Sequence, residues 1–400
     1  MSGTSISSQT QKIVINSSSK SVSIINSGPM GPRGPVGPSE ASLVLDTDGQ
    51  LLTRSSGVLA PISREDLGDD PAFTTRSIFK NGFVNGGLAV WQRGGAGVVV
   101  GTFAPYIADN WQCARNAYTT GMAAGRDTDV PSGEGFRYSL IAQRNAGDTS
   151  TQPLYVWSVL DNADSARYKG KTVTLSVYVK AGTNFSANTS NLNVQLKCGT
   201  GNDENGLTSI FTGLTTPINV LQQITTSWTR YSFTTTIPSN CTQIGCLLSW
   251  TPIGTAGTYD LIKVTGLQIE EGNVATKFEH LPYKLVLDYC LGRFERIQSP
   301  TSAYNIFGMG ICYSATQAAV VVPYTKKLAK PLIYASSAGN FVIVNAAGSA
   351  VTCATIGPNY STLETCEFGV TVAGGLVAGA ATKFHANGTA NAIIDITCEL

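Results

Sequence analysis

His280, His385 and the nine cysteines are the side chains of this 400-residue chain best suited to hold a metal or carry a nucleophilic reaction, and their spacing argues against both. Cys241 and Cys246 form a C-x4-C pair, which is not the short zinc spacing, and no second pair accompanies it. An odd number of widely scattered cysteines predicts free thiols kept in a reducing cytoplasm. Glycoside hydrolysis needs two carboxyl groups roughly 5–9.5 Å apart across the scissile bond. Glu270 and Glu271 are adjacent in an extended run, so they point to opposite faces. No G-x-S-x-G elbow, H-E-x-x-H helix or phosphate-binding loop occurs. The expectation is a protein that is not an enzyme, with no cofactor and no metal.

Charge adds little. Lys and Arg number 27 against 26 Asp and Glu, and charged residues are only 13% of the chain. A near-neutral surface lacks the field that draws nucleic acid or anionic lipid, so neither partner is expected. No apolar run approaches the ~18 residues of a membrane span, which excludes membrane insertion. The first twenty residues show no basic start, apolar core or small-residue cleavage pattern of a targeting signal. Glycine is abundant at 42, and Ser, Thr and Asn fill the places charge usually occupies, as in a turn-rich β exterior.

Any binding residue would therefore have to be positioned by strands. From residue 80 onward, short runs of β-prone residues alternate with Gly, Asn, Asp and Ser, which predicts a two-sheet jelly-roll sandwich over 80–283. The runs include Phe136 to Ala142, Leu154 to Leu160, Thr172 to Lys180, Leu192 to Lys197, Ser227 to Thr235, Gly245 to Thr251 and Tyr259 to Glu270. In TVTLSVYVK, Val173, Leu175, Val177 and Val179 share one face. In WTRYSFTTT both faces carry an aromatic, so inward and outward stay undecided. Next, Tyr283, Leu287, Cys290, Phe294 and Ile297 step by four and three, an apolar seam that predicts a connecting helix over 284–298. That helix would pack at a three-fold axis or lie against the sandwich; the axis is preferred. Residues 299–400 read as a further β domain.

The segment GPMGPRGPVGPS, 28–39, places Gly28, Gly31, Gly34 and Gly37 at a strict period of three, each followed by proline. Three polyproline-II chains wind together only where every third residue lacks a side chain, so the pattern predicts a short collagen-like triple helix and a homotrimer. At ~3.1 Å per residue the rod is roughly 37 Å long and needs help from its neighbours. Upstream lie two β-prone runs, Ile13 to Ile15 and Val22 to Ile25. Downstream, 40–79 offers a hairpin signal at Asp48-Gly49 and a helix start at Ser63 with Asp66 three residues on.

The strings LAVWQRG and YIADNW (Tyr106 to Trp111), the closing GLQIEEGNVATKFEHLPY (Gly266 to Tyr283), and YVKAGTN with TSWTRYSFTTTIP between them resemble a jelly-roll module of bacteriophage tail-fibre proteins, related to carbohydrate-binding modules. Such fibres also carry a short collagen-like stem and close on a terminal strand such as IIDITCEL. The resemblance implies a virion protein assembled in the host cytoplasm. Its segment 1–27 would dock on a phage tail or baseplate adaptor protein, and its distal end would meet a host surface polysaccharide. The alternative is a capsid or head decoration fibre, or a connector without receptor binding.

Aromatic rings stack on the apolar faces of sugars, and they also fill cores. Trp91 and Trp111 read as core. Trp250, before the glycine-rich PIGTAGT, is a glycan-binding candidate, as are Tyr304, Phe307 and the loop tip Pro358-Asn359-Tyr360 in the last domain.

Overall fold

The structure, a computed structural model, describes residues 13–16, 21–24, 44–45, 51–55, 58–61, 79–94, 98–100, 105–116, 121–207 and 210–400. The chain divides into two units, Met1–Ile78 and Phe79–Leu400. In the first, β1 (Ile13–Asn16) pairs antiparallel with β2 (Ser21–Ile24), as the two β-prone runs predict. A second small sheet joins β3 (Val44–Leu45), β4 (Leu51–Ser55) and β5 (Val58–Pro61), with β3 and β4 flanking the Asp48-Gly49 signal. The collagen-like triplets with Gly28, Gly31, Gly34 and Gly37, and the Ser63 helix start, lie outside the described residues.

The second unit is mainly β and begins with the expected sandwich of two six-stranded sheets. The first sheet runs β15 (Thr229–Thr236), β12 (Thr172–Ala181), β17 (Leu261–Glu271), β10 (Ser139–Arg144), β9 (Met122–Asp127) and β6 (Val98–Val100). The second runs β14 (Thr215–Gln223), β13 (Asn191–Gly199), β16 (Gln243–Trp250), β11 (Leu154–Leu160), β8 (Trp111–Arg115) and β7 (Tyr106–Ala108). Their facing side chains form one core, with Val173, Leu175, Val177 and Val179 of β12 against Leu192, Val194, Leu196 and Leu248. The ambiguity in WTRYSFTTT resolves inward for Tyr231 and Phe233, which pack on this core.

The strings that carry the resemblance close the sandwich on itself. The Leu267 amide donates to the Gly86 carbonyl at 3.0 Å and the Gly82 amide to the Ile269 carbonyl at 3.1 Å, so the segment leading into the fold lies along β17. A Cβ at Gly86 would sit 1.9 Å from the Leu267 carbonyl oxygen, which explains the glycine there. Asn81 and Asn85 fix the same segment, Asn85 donating to the Val90 and Asp109 carbonyls. Trp91 and Trp111 are buried and donate to the Leu88 and Asn85 carbonyls, in keeping with their reading as core.

One end of the sandwich is stapled by buried charge. Arg144 and Asp260, both fully buried, pair at 2.7 Å, and Arg144 also donates to the carbonyls of Asp148, Ser150 and Gly254. A four-residue helix, α1 (Asn162–Ser165), follows β11.

The connecting helix is shorter than the seam predicts. α2 (Tyr283–Leu291) ends where the Lys327 ammonium donates to the Leu291 carbonyl at 2.6 Å, a cation at a helix C-terminus. Phe294 and Ile297 are not on it: they belong to β18 (Phe294–Gln298), which pairs with β26 (Ile393–Thr397). The buried face of α2 is Val286 and Cys290 against Val90 and Val84, with Leu287 partly buried beside them, so the helix lies against the sandwich. Tyr283 is 58% exposed. Tertiary pairing of β18 outweighs the heptad spacing because a two-heptad helix has little stability of its own.

The last hundred residues form a closed six-stranded barrel beside a three-stranded sheet. The barrel order is β19 (Ile306–Cys312), β20 (Gln317–Pro323), β24 (Thr365–Val372), β23 (Ala350–Ser361), β22 (Phe341–Val344) and β25 (Ala381–Ala386). Phe341, Phe368 and Phe384, each fully buried, fill it. The side sheet is β18, β26 and β21 (Leu332–Ala335), so the terminal strand IIDIT sits at its centre.

Barrel and sandwich are tied rather than hinged. Arg93 pairs with Glu399, Arg293 with Asp161 and with Asp164 at 2.8 Å, and Gln92 donates to the Phe294 carbonyl at 2.8 Å. The Arg93 guanidinium also lies 3.4 Å over the Phe294 ring, a cation–π contact that occupies Phe294 within its own chain.

Candidate functional site

The two outer faces of the sandwich differ in what their polar groups already hold. On the first sheet, the segment after β17 folds back across the strands. Glu270 accepts from the Gln268 amide at 2.7 Å, the Thr276 backbone at 2.9 Å and the Thr276 hydroxyl at 2.6 Å. Arg230 donates to the Ser176 hydroxyl at 2.8 Å and the Thr276 carbonyl at 2.6 Å, while Phe136, Phe278 and His280 pack together beside it. Glu270 and Glu271 do point apart: Glu270 is sealed beneath this strap, and Glu271 is exposed and pairs with Lys171.

Farther along the same face, Asp129 accepts from Lys180 at 2.8 Å, Lys263 at 3.0 Å and the Trp228 indole at 2.9 Å. Burial pushes its carboxyl up, but those three bonds outweigh burial and bring it down to about 2. The network is complete within the chain.

The second sheet is the opposite. Its outer side chains fall in three rows set by register. Tyr155 lies opposite Ser249, which lies opposite Asn193, itself opposite Leu221. In the next row Trp157, Leu247, Gln195 and Asn219 follow in the same strand order, and in the third Val159, Gly245 and Lys197. With strands ~4.8 Å apart and same-face residues roughly 6.8 Å apart, the grid spans about 14 Å each way.

Trp157 is the pivot. Its indole donates to the Asn205 carbonyl at 2.9 Å and packs on Phe211, and a Cβ at Gly245 would lie 2.0 Å from the ring. The missing side chain at Gly245 lets the indole lie flat across the sheet, where it is 1% exposed and packed with Phe211, Leu247 and Leu207; like Trp250 it offers no ring face to a ligand and acts by positioning its neighbours.

Around that ring the polar groups are open. Among the described residues, the Tyr155 hydroxyl, the Asn193 amide, the Lys197 ammonium and the Ser249 hydroxyl have no hydrogen-bond partner in the protein; the Asn193 Oδ1 is moreover buried. Gln195 donates to Asn219 at 2.9 Å and keeps its own oxygen free. Burial raises the Tyr155 phenol above its ordinary value and lowers the Lys197 ammonium below its own. Amides and hydroxyls that both donate and accept, set beside a buried indole and a half-buried phenol, match the alternating demands of sugar hydroxyls.

None of these residues stood out as a binding residue from sequence. The alternation in LNVQLK does mark Asn193, Gln195 and Lys197 as one face, but their neighbours Tyr155 and Ser249 come from strands distant in sequence.

The sequence candidates fall elsewhere. Trp250 is on the inner face, 2% exposed and packed on Phe185, so its ring cannot stack on a ligand from outside. Phe307 is likewise consumed, 8% exposed against Phe341 and Phe384 in the barrel. Alternation along β19 turns it inward. Asn359 and Tyr360 are on a strand, β23, rather than a loop tip; Asn359 donates to Glu367 at 3.2 Å and Tyr360 is 77% exposed. Tyr304 is 58% exposed near Gly388, and no contact joins it to Asn359 or Tyr360.

All nine cysteines are free thiols. The near neighbour of Cys241 is Cys198, not Cys246, and the Cys241 thiol donates to the Gln243 carbonyl at 3.1 Å. Among the described residues no cluster of three or more His, Cys, Asp or Glu could hold a metal, and no helix is long and apolar enough to cross a membrane.

A cavity of about 120 Å³ lies where sandwich and barrel meet, lined by Tyr106, Asp161, Arg293 and Glu399 among others. Burial raises the Glu399 carboxyl to about 7 against the pull of Arg93. Arg293 pairs with Asp161, and Glu399 with Arg93 behind it, so the cavity belongs to that joint.

No family model matches the chain, and no curated protein matches it. Several solved structures are similar in part. The enzymatically active domain of tailspike protein 4 from bacteriophage CBA120 is 12% identical over 41% of this chain and 19% of its own, with a TM-score of 0.28. The CBM22-1 xylan-binding domain of Paenibacillus barcinonensis Xyn10C is 16% identical over 46% of this chain and 99% of its own, at 0.27. A putative sugar binding protein from Bacteroides thetaiotaomicron is 9% identical over 48% and 100%, at 0.31.

Proposed function

We propose that this chain is a phage fibre protein that attaches a virion to a cell-surface glycan, and that the glycan lies on the outer face of the second sheet. The observation that carries the reading is the buried Asn193 oxygen without a partner, with the Tyr155, Lys197 and Ser249 side chains around it making no hydrogen bond among the described residues, beside the pinned Trp157 ring. Half-buried polar groups without partners cost stability unless something fills them. The strings shared with tail-fibre jelly rolls support the same conclusion. Residues 1–27 would bind a tail or baseplate adaptor.

The protein would act as a homotrimer registered by the 28–39 triplets. Ile306, Met309, Ile311 and Val321 form an exposed apolar stripe on the barrel, with Met309 paired to Val321 across β19 and β20, and this stripe is a surface that further copies of the chain would cover. Three copies per fibre and several fibres per particle would make a weak site effective.

The test is a microbial glycan array probed with the full-length protein and with Tyr155→Phe and Asn193→Ala. Binding weakened in both variants, with unfolding temperatures unchanged, is the expected result; binding unaffected by either removes the assignment of the face. Light scattering that finds a single subunit removes the trimer. Gold-labelled antibody to residues 300–400 should mark the tail periphery of intact virions, and label over the head would favour a decoration fibre.

A further inference from the structure

The row holding Lys197 separates a neutral ligand from a charged one. The Lys197 ammonium lies 5.7 Å from the centroid of the Trp157 ring, within cation–π range. The ring is held by the Asn205 carbonyl and by Phe211, so it supports the cation from one side without using any of its three N–H donors. Among the described residues no carboxylate reaches this ammonium, and burial alone accounts for its lowered pKa. On the other outer face Lys180 and Lys263 share Asp129, and Lys263 also meets Asp127, while the half-buried Lys80 donates to the Thr276 hydroxyl and the Lys277 carbonyl. Lys197 is thus a partly desolvated cation whose counter-charge the described chain does not supply. Two rungs along the same strand, Asn193 presents a buried oxygen without a donor, and Gln195 lies between them.

We infer that the glycan bound on this face is acidic, with its anionic substituent seated on Lys197 and its neutral hydroxyls on Asn193, Gln195 and Tyr155. The inference rests on the proposed glycan-binding face and goes beyond it by naming the ligand class. A carboxylate and a phosphate would satisfy the ammonium equally, as both offer a compact anion to a point charge.

The same array of acidic and neutral microbial polysaccharides is probed with the full-length wild type, Lys197→Met and Lys197→Arg, with thermal unfolding measured on each. Methionine keeps an apolar stem over the indole and removes the charge. The expected result is binding to acidic members that weakens about tenfold or more in Lys197→Met, is largely kept in Lys197→Arg, and falls with added salt. Reducing the carboxyl groups of each bound polysaccharide to alcohols then separates the sources: lost binding identifies a carboxylate, and retained binding that disappears on removing phosphate identifies a phosphate ester. Binding confined to neutral polysaccharides, or unchanged in Lys197→Met, overturns the inference. In that case continued sensitivity to Tyr155→Phe and Asn193→Ala leaves the binding face in place. No binding to any member overturns both.

Discussion

The two outer faces of the sandwich use the same residue types for different ends. Both carry a tryptophan, lysines and amide or hydroxyl side chains on antiparallel strands. On the first sheet Trp228 spends its indole proton on Asp129, the lysines are paired, and Glu270, Gln268 and Arg230 are bonded to the strap above them, although the buried Arg230 Nε has no partner. On the second, Trp157 spends its proton on a loop carbonyl, and the groups around it stay open. Composition does not distinguish a structural polar surface from a receptive one; the completeness of its hydrogen bonding does.

That contrast can be broken from either side. The largest effect belongs to the sealed face. Glu270→Ala leaves the buried Gln268 amide without its 2.7 Å acceptor and releases the strap held at Thr276, so chemical denaturation should show a loss of about 2–3 kcal/mol with glycan binding unchanged. Gly245→Ala tests the pivot of the open face: displacing the Trp157 indole should cost about 1–3 kcal/mol and weaken binding together. A variant that binds normally would mean that the ring does not organise the face.

Acid probes the charge network. The Asp129 carboxyl is held at about 2, below its unfolded value, so its contribution is present above the ordinary carboxylate range and is lost as pH falls toward 2. With the side chain 34% exposed, solvent screening limits this to no more than about 1 kcal/mol. Asp129→Asn should flatten that part of the acid unfolding profile.

The smallest stability effects belong to the open face. Tyr155→Phe and Asn193→Ala should each change stability by roughly 0.5 kcal/mol or less, because neither the Tyr155 hydroxyl nor the Asn193 amide bonds to the protein, while binding falls. A large stability loss in Asn193→Ala would show that the side chain has an internal partner after all.

How far each feature could be read ahead depended on the distance over which it is decided. Alternation in TVTLSVYVK gave the inward set of β12 because period two is a local property of a strand. The outward set of that strand proved buried as well, with Thr174, Ser176 and Tyr178 under the strap, which no local pattern foretells. Trp250 was misread for a related reason: its glycine-rich flank suggests a surface loop, yet its register opposite Leu154 turns the ring inward. Phe294 and Ile297 fit a heptad, and β26, about a hundred residues later, claimed them.

By itself, then, the sequence determined that the chain is β-rich, that its leading and closing strings belong together, and which residues of each strand share a side. The first and last follow from backbone geometry, which acts over a few residues; the second was implied by the resemblance, and its steric reason is tertiary, Gly86 against the Leu267 carbonyl. The tertiary structure alone decided which outer face is sealed, which tryptophan is buried, and that Tyr155, Asn193, Lys197 and Ser249 share one surface. Those outcomes depend on strand pairing between distant segments, where a polar group's cost or use is set by whether a partner arrives.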